Sequence, residues 1–124
     1  MPIDPAILQG KDKLTDYGKT NIVGIQGELW SENIRTADDL EYLAFPKMLG
    51  LAERAWSADP EWATTKDASL SVSLYNQAWN SFVNVVGKRE LTKLNYYQGG
   101  ANFRIPTVGA KQVNGLVHAN IQLP

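Results

Sequence analysis

The chain changes its hydrophobic rhythm several times. Residues 1–20 contain two prolines, two glycines and scattered charges with no sustained period, which reads as a loop segment. Ile22, Val23 and Ile25 then form a short β-branched run of strand length, of the kind buried on both faces in a central parallel strand. Gly24 and Gly27 interrupt it; glycine in a strand implies a bend or the close approach of another group. From Thr36 the period lengthens. Thr36 followed by Asp38 and Asp39 predicts a capped helix start. Leu40, Leu43, Ala44, Leu51, Ala52 and Ala55 recur at helical spacing, with Pro46 forcing a kink or a division into two helices. Asp59-Pro60 ends that element.

Leu70, Leu74, Ala78, Phe82 and Val85 predict a long helix from about Ser69 to Leu94, with Gly87 as its weak point. After Gly99-Gly100 the alternation in residues 102–106 and 115–121 predicts two short strands around a turn. Strand, broken helix, long helix and an unfinished β-pair form an odd inventory for a complete domain.

Composition narrows the classes. With 124 residues, 44% hydrophobic and 20% charged, the chain can build a core and does not read as disordered. A complete (β/α)8 barrel needs about 250 residues, so this chain does not hold one. A formal net charge of −1 argues against nucleic-acid and membrane partners, and apolar runs of a few residues cannot span a bilayer. The absence of cysteine excludes a disulfide scaffold and a zinc-thiolate site. Met1-Pro2-Ile3-Asp4-Pro5 has neither the basic region nor the apolar core of a signal peptide. Charge is nonetheless uneven. Residues 1–62 hold six basic and eleven acidic groups, and residues 63–124 hold six and two, which favours docking of one half on the other.

The candidate chemistry lies in Glu28-Leu29-Trp30-Ser31-Glu32. In an extended chain Trp30 and Glu32 point the same way. An indole covers the apolar face of a pyranose while a carboxylate accepts two hydroxyl hydrogen bonds, so the pair suits a sugar. A tryptophan capping a core beside a solvated glutamate fits the same pattern. Glu28 and Glu32 as a glycosidase pair fit poorly: four extended residues span roughly 13 Å, against about 5–5.5 Å in retaining and 6.5–9.5 Å in inverting enzymes. His118 is the sole histidine and has no acid and serine arranged with it; no metal-ligand cluster and no cofactor motif occurs, Gly24-x-x-Gly27 being too short for a nucleotide loop. Trp56, Trp62, Trp79 and Tyr96-Tyr97 read as packing residues, and Glu53-Arg54 as structural.

The run 24–32, with Tyr42, Phe45-Pro46-Lys47 and Leu51-Ala52-Glu53-Arg54-Ala55-Trp56-Ser57, resembles glycoside hydrolase family 20, the β-N-acetylhexosaminidases, most closely those of the bacterial chitobiase type. The resemblance covers roughly residues 20–124, including Gly87-Lys88-Arg89-Glu90-Leu91 and Phe103-Arg104-Ile105-Pro106-Thr107-Val108-Gly109-Ala110. Lys47 stands where members usually carry arginine.

The resemblance implies an α/β fragment: the last strand-helix unit of a (β/α)8 TIM barrel, a long C-terminal helix, and the first strands of a β-sandwich. Residues 21–98 would be the C-terminal part of the catalytic domain and 99–124 the start of the truncated β-sandwich, so the chain resembles the C-terminal part of a larger protein. Such enzymes remove terminal β-linked N-acetylhexosamine from chitooligosaccharides or glycoconjugates with retention, the substrate's acetamido oxygen attacking the anomeric carbon. Their Asp-Glu catalytic pair lies on an earlier strand, and no Asp-Glu dipeptide occurs here, so no catalytic residue is assigned. Trp30 and Glu32 carry over as substrate-binding residues for an N-acetylglucosamine-containing oligosaccharide, without cofactor or metal. A periplasmic or secreted parent follows by analogy only. A non-catalytic carbohydrate-binding or structural module is the alternative, and a small glycosidase built on Glu28 and Glu32 a weaker third. The exposed edges of a lone barrel strand predict self-association of the chain.

Overall fold

A computed structural model of the chain describes residues 14–121 and Leu123. Its organising element is a helical run through α5 (Ala68–Val85), a π-helical turn (Val86–Glu90) and α6 (Leu91–Leu94). Asp67 starts it by accepting the Ser69 and Leu70 backbone N–H groups at 2.9 and 3.0 Å. Those bonds, with the Ser69 hydroxyl, hold the Asp67 carboxyl below its ordinary pKa. The predicted weak point, Gly87, falls inside the π turn, where glycine's poor helix propensity concedes the regular ladder most easily.

α2 (Ala37–Ala44) and α3 (Lys47–Trp56) are the two helices anticipated around Pro46, which caps α3 after a cis Phe45–Pro46 bond. At the start of α2, Thr36 Oγ1 accepts the Asp39 N–H at 3.1 Å. Asp39 Oδ2 in turn accepts the N–H groups of Arg35 and Thr36 at 3.1 and 3.0 Å. The Arg35 bond contributes most to lowering the Asp39 pKa. A short α4 (Glu61–Thr64) follows Pro60 and packs against α5, the Ser71 hydroxyl donating to the Trp62 carbonyl at 2.6 Å.

The core lies where α2 and α3 meet the end of the long helix. Val86, Leu91 and Leu94 are buried there, with Phe45, Leu49, Phe82, Ala101, Phe103 and Leu123 packed around them. Gln98, Gly99 and Gly100 take φ of 49, 94 and 105°, a left-handed run that two glycines adopt without steric cost. It turns the chain back over the helix end, and the Ala101 N–H donates to the Leu94 carbonyl at 2.8 Å. A hairpin of β1 (Gly109–Val113) and β2 (Leu116–Asn120) completes the described chain, antiparallel, with Lys111 opposite His118.

Four readings of the sequence are corrected. Residues 22–30 form no ladder, because a strand needs a hydrogen-bonded neighbour and the only pairing among the described residues is β1 with β2. Residues 102–106 are not a strand either; they lie against α2, and the first strand begins at Gly109. Within the proposed 1–20 loop, Asp16–Thr20 is a short helix α1, capped by Thr15, whose side chain accepts the Gly18 N–H at 3.0 Å; residues 1–13 lie outside the described part. Trp56, Tyr96 and Tyr97 are exposed rather than packed. Trp62 and Trp79 do pack, in an aromatic row with Tyr75 and Phe82 at centroid spacings of 5.4, 6.5 and 6.0 Å.

Candidate functional site

The segment that carries the candidate residues leans on the helices from one side. An added Cβ at Gly27 would sit 2.9 Å from Leu51 Cδ2, so a close approach does explain this glycine. Gly24 has no neighbour within 4 Å, and its place in the run has no such explanation. Gly27, Glu28 and Leu29 together with Leu43, Lys47 and Leu51 wall an open hollow of about 240 Å³. Glu28 and Lys47 thus share one hollow, and the Gln26 side-chain amide donates to the Glu28 carboxylate.

Beyond Leu29 the chain leaves this wall. Trp30 keeps an extended backbone (φ −84°, ψ 131°), and Ser31–Asn33 then form a 3-10 turn closed by the Ile34 N–H donating to the Ser31 carbonyl at 3.1 Å. The alternation that would place Trp30 and Glu32 on one face of a strand therefore stops between them. Both residues are exposed, Trp30 at 73% just before the turn and Glu32 within it. An indole this open presents a free π-face, and Glu32 presents an unburied carboxylate; both are what stacking on a sugar ring and binding its hydroxyls require.

The other candidates fall away from this place. His118 is in the hairpin, across from Lys111. Glu53 accepts the Ser57 hydroxyl at 2.9 Å, and the Arg54 guanidinium lies 6.0 Å from the Trp62 ring centre, so both act on their own helix surroundings. Among the described residues no three potential ligands gather to hold a metal ion. Nor is any described helix long and apolar enough to cross a membrane.

Two features went unread in the sequence. Asn114-Gly115, with φ of 52 and 79°, makes the two-residue turn of the hairpin. Asn-Gly between apolar runs was the available signal. The spacing of Tyr75, Trp79 and Phe82 on α5 likewise carried the aromatic row.

Residues 5–59 match the glycosyl hydrolase family 20 catalytic domain, a stretch that contains Trp30, Glu32, α2 and α3. Residues 90–124 match the chitobiase/beta-hexosaminidase C-terminal domain. Residues 5–59 are thus a piece of a glycosyl hydrolase family 20 catalytic domain. It is 36% identical over 110 residues to N,N'-diacetylchitobiase from Vibrio harveyi, covering 82% of this chain and 12% of that protein. Beta-hexosaminidase from Vibrio vulnificus is 30% identical over 114 residues (78% of this chain, 13% of that protein). Beta-hexosaminidase B from Pseudoalteromonas piscicida is 33% identical over 84 residues (56% and 10%). The chain thus spans 12% and 13% of the first two relatives' length.

Proposed function

We propose that this chain supplies one wall of the sugar pocket of an exo-β-N-acetylhexosaminidase of the chitobiase type, with Trp30 as stacking platform and Glu32 as acceptor of hydroxyl hydrogen bonds. The observation that carries this is an open indole and a neighbouring carboxylate on a turn inside the catalytic-domain match. The full-length protein hydrolyses terminal β-linked N-acetylhexosamine by substrate-assisted retention; this chain, with no Asp-Glu dipeptide, lacks the acid that cleaves and is silent alone.

In the whole enzyme, residues 21–98 belong to the (β/α)8 catalytic domain, with residues 22–30 in the place of its last strand, and residues 99–124 open the C-terminal β-sandwich. The left-handed reversal at Gln98, Gly99 and Gly100 supports a boundary there. The exposure of Ile22 (60%), Val23 (101%) and Ile25 (56%) supports a segment made to be paired and covered, and supports self-association of the isolated chain.

Saturable N-acetylglucosamine binding that disappears in Trp30→Ala, without release of nitrophenol from a chromogenic N-acetylglucosaminide, is the expected outcome. Turnover by the purified chain would overturn the reading. Binding that survives both Trp30→Ala and Glu32→Ala would move the sugar site elsewhere.

A further inference from the structure

We propose that residues 102–104 form a strap that positions the Trp30–Glu32 turn, with Asn102 and Glu41 as positioning residues; its functional meaning rests on reading that turn as a sugar wall. The contacts form a continuous series. The Asn102 N–H donates to Glu41 Oε2 at 2.7 Å, and its side-chain amide donates to the Asp38 carbonyl at 3.2 Å. One step on, the Arg104 N–H donates to the Phe45 carbonyl at 3.1 Å, and its guanidinium lies 6.0 Å from the Tyr42 ring centre. The strap therefore holds α2 near its start, its middle and its end.

α2 needs such a hold. Its eight residues make a helix too short to persist alone in water, and Ala44 is its one buried residue. A carboxylate accepting a backbone N–H is among the stronger hydrogen bonds available to a surface. The start of α2 is locked in turn to the site. Asp39 gathers the N–H groups of Arg35 and Thr36, and Ile34 closes the turn that contains Glu32 through its bond to Ser31. From Asn102 to Glu32 every link is a short hydrogen bond or a few residues of backbone. Asn102 and Arg104 lie in the stretch that matches the C-terminal domain, whereas α2 and the turn lie in the catalytic-domain match. The strap gives the C-terminal module a part in shaping the pocket that it does not itself line.

Amide hydrogen exchange read by NMR on the 124-residue chain tests this. In Glu41→Ala the amides of Ile34, Arg35 and Thr36 exchange about tenfold faster, while the Ser71 amide, bonded to the Asp67 carbonyl in α5, keeps its rate. Glu41→Gln retains an acceptor oxygen and restores most of the protection. Because coupling between sites is reciprocal, saturating N-acetylglucosamine slows exchange of the Asn102 amide, at most by the factor by which complete loss of the strap weakens sugar affinity. An unchanged Ile34 amide in Glu41→Ala, or equal acceleration at Ser71, overturns the strap. If Trp30→Ala abolishes binding while Glu41→Ala alters neither exchange nor affinity, the sugar wall stands and the strap falls. If sugar does not bind but Glu41→Ala loosens Ile34 alone, the strap stands and the sugar wall falls.

Discussion

The helical block and the segments on either side of it use the same residue types to opposite effect. Val83 and Leu94 are buried, at 7% and 9% exposure, whereas Val23 is fully open and Leu116 is 67% exposed. The difference lies in what each backbone requires. A helix satisfies its own N–H and C=O groups and asks only that one stripe be covered, which α3 and the 101–104 segment do for the long helix. An extended segment needs neighbours for its backbone as well as its faces. Residues 22–30 have no strand partner among the described residues, and the hairpin has only itself, less than a sheet needs to stand alone. Local order is complete where it can be generated locally, and deferred where it depends on a partner.

Substitutions that act on one side alone sharpen this contrast. Leu94→Ala should cost about 3 kcal/mol, the usual range for a buried leucine being about 2–5 kcal/mol, seen as a lower urea midpoint of the helical circular dichroism. Gly100→Ala comes next. At φ 105° an added Cβ would lie 3.0 Å from the Asn95 carbonyl oxygen, and backbone does not yield as a side chain tip would. A loss of about 1–2 kcal/mol by the same assay is expected, and an unchanged midpoint would show that the reversal is not held by its glycine.

Acid should then erode the helical block selectively. The folded-state pKa values of Asp39 and Asp67 lie below their ordinary 3.8, so their contribution is full above that value and is lost as pH falls through the lowered ones. The helical signal's urea midpoint should drop below about pH 4, and Asp67→Asn should flatten part of that drop. A pH-independent midpoint would contradict the capping geometry. The smallest effect is expected at Val23→Ser, within about 0.5 kcal/mol in the same denaturation. A larger loss would mean that residues 22–30 are already covered, and the comparison would fail.

The same division explains what the sequence disclosed. Thr36, Asp39 and Pro46 announced two helices because caps and proline act within a turn of themselves. Leu70 through Leu94 announced the long helix because its period is a property of the segment alone. The strand expected at 22–30 failed for want of a partner, and the one at 102–106 lost to contacts with α2 about sixty positions away. At the site, Trp30 and Glu32 stood out by residue type, yet the turn at Ser31–Asn33 carries no glycine or proline to betray it, so the shared strand face was misjudged. The hollow holding Glu28 and Lys47 was illegible for another reason: it exists only once the 27–29 stretch rests on α3.

The four tryptophans are spread unequally over this architecture, and light can tell them apart. Trp30 and Trp56 stand in solvent, while Trp62 and Trp79 sit in the aromatic row beside Tyr75 and Phe82. Emission from the chain should divide into a red-shifted component open to acrylamide and a bluer one that resists it. With Trp56 replaced by phenylalanine, the most quenchable emission is dominated by Trp30, at 73% exposure against 37% for Trp79, and any saccharide that settles on that ring reports its own arrival.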